Sequence, residues 1–141
     1  MQKKIYLSLP ITGQEAPSKE IAQKAQIYYE KVGFIVINPH QVKQDMFEIL
    51  GRIPTEPEIM GADLMELGQC DAMILFPQWK NSKGCNLEIR FAKDYNIPIY
   101  EVHTDIKLEF SSTLKNDVNQ RSKDDWITRS VLDHEPCEAI I

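Results

Sequence analysis

The chain has 141 residues, enough for one domain with a real core, and its 43% apolar and 26% charged content fits a folded globular protein. Net charge is −5 with no basic tract, which argues against a nucleic-acid polymer as partner. Cys70, Cys85 and Cys137 show no CxxC spacing, His40, His103 and His134 are scattered singly, and no apolar run reaches membrane-spanning length; these features argue against a disulfide framework, a metal site and a membrane span.

Met1-Gln2-Lys3-Lys4 runs straight into a strand rather than an apolar signal region, so a reduced cytoplasmic protein is expected. Ile5 to Leu9 alternates, with Ile5, Leu7 and Leu9 on one face and Tyr6 and Ser8 on the other, which predicts a first strand. Pro10-Ile11-Thr12-Gly13 breaks it, because Pro10 cannot donate to a ladder and Gly13 permits a turn. Ser18 is the expected N-cap of a helix carrying Ile21, Ala25, Tyr28 and Val32 on one face, with Gly33 ending it. The apolar run Phe34-Ile35-Val36-Ile37 reads as a buried parallel strand closed by Asn38-Pro39. Residues 39–57 contain three prolines and read as a long connection, a binding loop or a plain excursion, with a short helix over Val42 to Leu50.

A helix is predicted from Glu58 to Gln69, with Ile59, Leu64 and Leu67 inward, and Asp71 opens a third strand over 71–76. After the loop Pro77 to Lys80, a helix runs from Gly84 to Tyr95 and carries Glu88 on the face of Phe91, Ala92 and Tyr95. Ile97 to Tyr100 is a fourth strand, with Pro98 at an edge or a strand start. The more polar stretch 102–141 holds a candidate helix near Ser122 to Leu132, anchored by Trp126, Ile127 and Val131.

Strands alternating with helices predict a single α/β domain over 1–141: a doubly wound, mostly parallel sheet of four or five strands with helices on both faces. Ligands in such sheets bind beyond the carboxyl ends of the strands where strand order reverses, here between the first and third strands. The loops at that point are Pro10–Gly13 and Pro77–Gly84. GxGxxG after the first strand, GxxxxGK[ST] and GxSxG are all missing, so dinucleotide, P-loop and α/β-hydrolase sites are unsupported and no cofactor is implied.

The run Ile5-Tyr6-Leu7-Ser8-Leu9-Pro10-Ile11-Thr12-Gly13 resembles the opening strand and loop of the nucleoside 2-deoxyribosyltransferase-like superfamily. Asp63-Leu64 with Cys70-Asp71-Ala72, and Ser82 to Glu88 with Ala92 and the strand Ile97 to Tyr100, resemble its middle and active-site blocks in the same order. The resemblance covers residues 3–101 and is nearest the small bacterial and phage branch with an IYLSGPITG start, although Leu9 stands where that branch usually has Gly. It implies a flavodoxin-like fold, cleavage of an N-glycosidic bond, and a homo-oligomer whose pockets are completed by a neighbour. It assigns Glu88 as nucleophile, Asp63 near the base and Tyr6 as the hydroxyl on the nucleophile. Ser8, Pro10, Ile11, Gly13, Ser82, Lys83 and Gly84 are then substrate-binding positions for a small nucleotide or nucleoside. Ser six residues before the Glu resembles the 5′-monophosphate N-glycosidase branch, whereas the deoxyribosyltransferases have Asp there.

The residues support that chemistry independently of the resemblance. Breaking a C1′–N bond builds oxocarbenium character, which a carboxylate on the opposite face can capture. An acid is needed at the departing base, and a hydroxyl with backbone N–H groups at a helix start makes an anion cradle. Plainer readings stand beside each assignment: Glu88 as an acid favoured by the helix dipole, Ser82 as a cap, Asp63 as an exposed helix acid, Tyr6 as strand filling. A non-catalytic nucleotide-binding module, and a flavodoxin-like docking domain, are the competing functions.

Overall fold

In the computed structural model the described residues are 2–102, so the candidate helix near 122–132 lies outside them. The alternation in Ile5 to Leu9 is realised as β1 (Lys4–Ser8), whose two faces enter different cores. Ile5, Leu7 and Leu9 pack with α1 (Glu15–Lys31), whereas Tyr6 joins a second core formed with α3 (Glu56–Leu67) and α4 (Lys83–Asp94). The neighbouring strands β2 (Ile35–Ile37), β3 (Ala72–Leu75) and β4 (Ile99–Glu101) all run parallel to β1 in the order β2-β1-β3-β4. Met73 and Leu75 face the second core while Ala72 and Ile74 face the first, so β3 repeats the division made by β1. This is a doubly wound parallel α/β sheet of the flavodoxin-like kind, with strand order reversing between β1 and β3.

Several boundaries differ from expectation. Helix α1 begins at Glu15, not at Ser18; Gln14 is its N-cap and Pro17 fits within the first turn, where its missing N–H has no partner to lose. Ser18 is instead a buried residue inside α1, bonded through Oγ to His40 Nε2 at 3.0 Å. Gly33 ends the segment at φ 101°, in the left-handed region that glycine enters without cost. Of the run Phe34 to Ile37, Ile35 to Ile37 form β2, at one edge of the sheet among the described residues, and Ile35 is 42% exposed rather than buried.

The stretch 39–57 is largely helical. Asn38 ends β2 and caps α2 (Pro39–Leu50), its side-chain oxygen accepting from the His40 N–H at 3.0 Å. Pro39 sits at the first helical position, where its fixed φ favours a helix start. Gly51, at φ 67°, stops α2, and Thr55 and Glu58 form a capping box that starts α3. Arg52 reaches over the turn to Glu58 with two contacts of 2.8 Å. Asp71 is structural, accepting from the Lys4 backbone N–H at 2.8 Å and so tying the amino end of β1 to the approach of β3. Pro98 precedes β4, which is the other edge strand among the described residues.

Candidate active site

The loops that follow β1 and β3 border a cleft of about 650 Å³ at the carboxyl end of the sheet. Leu9, Pro10 and Ile11 form one rim, and Ser82, Lys83 and Gly84 at the start of α4 form another. Helix α2 contributes His40 and Lys43, and α3 contributes Ile59, Met60 and Asp63. The cleft therefore lies at the β1/β3 reversal, where the topology alone locates a site.

Glu88 lies in the cleft lining with only 5% exposure. Helix α4 begins at Lys83 and has no acid in its first turn, so Glu88 is too far in for the dipole to explain its presence. The side chain points inward because the buried face of α4, with Cys85, Ile89 and Ala92, packs on the sheet. Tyr95 is 67% exposed and does not extend that stripe. Two hydroxyls from the same face of β1 meet the carboxylate. Tyr6 donates to Oε2, and Ser8 Oγ donates to Oε1 at 2.7 Å. Both are buried and neither lines the cleft; they lie behind Glu88 and hold it. Burial pushes Glu88 up to about 7, and the two donors oppose that rise. Burial also raises the Tyr6 hydroxyl well above its ordinary value, with the Glu88 charge adding to the effect, so Tyr6 remains a donor.

Asp63 is as buried as Glu88 and lines the same cleft from α3, which removes the reading of it as an exposed helix acid. Burial first, then the charges of Glu88 and Glu66, push it up to about 8. Its Oδ1 has no hydrogen-bond partner among the described residues. Desolvation costs the charged form more than the neutral one, so two carboxyls facing one cleft titrate in sequence, Glu88 before Asp63.

The loop ahead of α4 is held from several sides. Trp79 is buried and donates Nε1–H to Glu101 at 3.1 Å. The Asn86 amide reaches back to the carbonyls of Trp79, Lys80 and Ser82 at 3.3, 3.1 and 2.7 Å. Ser82 Oγ accepts from the Cys85 N–H at 3.2 Å, so Ser82 is a helix cap and a cleft residue at once. A Cβ on Gly84 would meet nothing within 4 Å, leaving open space beside the first backbone N–H groups of α4.

Of the sequence-derived positions, Glu88, Asp63, Pro10, Ile11, Ser82, Lys83 and Gly84 line the cleft together. Gly13 does not line it; at φ 82° it serves the turn into α1, its N–H donating to Glu15 Oε1 at 3.2 Å. His40 and Lys43 are lining residues that periodicity missed, because they enter through the helix start at Asn38-Pro39 rather than through a motif. Among the described residues no group of His, Cys, Asp or Glu could hold a metal ion, and no helix is long and apolar enough to cross a membrane.

Residues 3–101 match the model of a family described as a domain of unknown function, DUF4406. No curated protein and no solved structure matches the chain.

Proposed function

We propose that this chain, which belongs to the DUF4406 family, cleaves the N-glycosidic bond of a nucleoside 5′-monophosphate or nucleoside through a covalent glycosyl-Glu88 intermediate. The observation that carries the reading is a buried carboxylate in the cleft lining, held by Tyr6 and Ser8 with a second, higher-titrating carboxyl on Asp63. The resemblance to the nucleoside 2-deoxyribosyltransferase-like superfamily points the same way.

In the first step the ionised Glu88 carboxylate forms a bond to C1′ as the C1′–N bond breaks. Protonated Asp63 gives its proton to the departing base, so the base leaves neutral and the negative charge passes to Asp63. In the second step Asp63, now ionised, takes a proton from water. The water oxygen bonds to C1′ and the Glu88 carboxylate is released. Tyr6 and Ser8 keep the carboxylate fixed on its attack line through both steps. We place a 5′-phosphate at Ser82, Lys83 and Gly84, which line the cleft at the start of α4 and offer backbone N–H groups, a hydroxyl and an ammonium for it. That cradle favours monophosphates, and water as the acceptor makes the enzyme a hydrolase; a second base as acceptor would make it a transferase.

The test is incubation with a panel of nucleosides and their 5′-monophosphates, with free base measured by chromatography. Base release that disappears in both Glu88→Ala and Glu88→Gln supports the reading. Tight binding of a nucleotide without release identifies a binding module instead.

A further inference from the structure

We infer that the ligand carries a second negative charge on the departing base itself, held where the cleft opens at Lys43, His40 and Lys19 into a second groove. The inference rests on the nucleotide reading above and adds the class of leaving group.

A groove of about 600 Å³ adjoins the cleft, and His40 and Lys43 line both. Each compartment alone lies within the ~300–1,000 Å³ range of small-ligand sites, so the first already accommodates a mononucleotide. The second compartment is built differently from the first. The cleft has Glu15, Glu56, Asp63 and Glu88 in its lining, whereas among the described residues no carboxylate lines the groove. In a chain of net charge −5, a wall whose described residues include two lysines and no acid is a local reversal of sign.

The basic groups converge. His40 is set by its bond to the buried Ser18; burial first, then Lys19 and Lys43, hold its ring below the ordinary imidazole value, and the Glu15 carboxylate on the cleft side of the corner acts the other way. Lys19, His40 and Lys43 line the same groove. Among the described residues neither lysine is in an ion pair.

Direction follows from the sheet. Helix α4 follows β3 and α2 follows β2, with β1 between those strands. Two strand spacings separate the starts of the two helices by about 10 Å. A nucleotide with its phosphate at Ser82 and C1′ at Glu88 extends its base across β1 towards α2. An anionic substituent on the far edge of that base reaches the Lys43 corner, and its remainder enters the groove.

The test uses Glu88→Gln protein, which keeps one acceptor oxygen for Tyr6 or Ser8 and the shape of the side chain but cannot attack. Dissociation constants are measured by calorimetry for AMP and for N6-(1,2-dicarboxyethyl)-AMP, which differ only by the dicarboxylate on the base. The inference predicts that the dicarboxylate binds about tenfold tighter, and that adding Lys19→Ala and Lys43→Ala reduces the ratio to about one. Equal affinities, weaker binding of the dicarboxylate, or a preference that survives loss of both lysines overturns it and leaves the nucleotide reading standing. Failure of both nucleotides to bind overturns the nucleotide reading and this inference with it.

Discussion

Replacing Asp63 by Asn makes stability respond to pH in a way that isolates the buried acid. Asp63 has its folded-state value raised from 3.8 to about 8, first by burial. Below pH 3.8 the carboxyl is neutral in both folded and unfolded chains and costs nothing extra. Between 3.8 and about 8 the unfolded chain releases a proton that the folded chain retains, so native stability falls as pH rises. The predicted slope is ~1.4 kcal/mol per pH unit, which over a rise of roughly four units amounts to on the order of 5 kcal/mol. Asn is neutral throughout and removes that slope. Urea unfolding of both proteins across pH 4 to about 9 reads it directly. The difference in stability between variant and wild type should grow steadily in favour of the variant as pH rises, whatever constant offset the amide introduces. Parallel stability curves would refute the argument, because they would mean that Asp63 titrates as an exposed acid.

Tyr6→Phe removes one of two donors opposing the rise of Glu88, so the pH at which Glu88 ionises should move further up and base release at neutral pH should drop by about ten- to a hundredfold. A shift of the acid limb of the pH–rate profile is the check, and an unmoved limb counts against the contact. In the wild type, kcat/KM should rise through about 7 as Glu88 ionises and fall through about 8 as Asp63 loses its proton. A profile that does not fall on both sides of that interval contradicts the division of roles. Ser82→Ala should cost ~1 kcal/mol of stability as a lost cap. It should also raise KM for a 5′-monophosphate more than for its nucleoside; equal changes would mean that Ser82 only caps.

Much of the site was legible because strand and helix periods are strict. Period-two alternation put Tyr6 and Ser8 on one side of β1 and Ile5, Leu7 and Leu9 on the other, and that side is the one α4 covers. Periodicity put Glu88 among the apolar residues of α4, but spacing alone left it readable as a dipole-favoured acid; the resemblance singled it out, and its place beyond the first turn and its 5% exposure came from the fold. Asp63 offered no such signal; an acid on a short helix is ordinarily solvated, and its burial depends on how α3 meets α4 and β1. Residues 39–57 misread because Pro39 acts as a helix starter after an Asn cap, not as a breaker. His40 and Lys43 followed from that misreading, and Ser18 looked like a cap because nothing local announces its bond to His40 across the fold.

Trapping the intermediate tests the central claim most directly. A 2′-deoxy-2′-fluoro nucleoside 5′-monophosphate slows both steps by destabilising positive charge at C1′, and a good leaving base restores the first. Intact-mass and peptide mapping should then find one glycosyl phosphate adduct, on Glu88, absent from Glu88→Gln and chased off by time in buffer. An unmodified protein that nevertheless releases base, or an adduct on any other residue, would contradict the account.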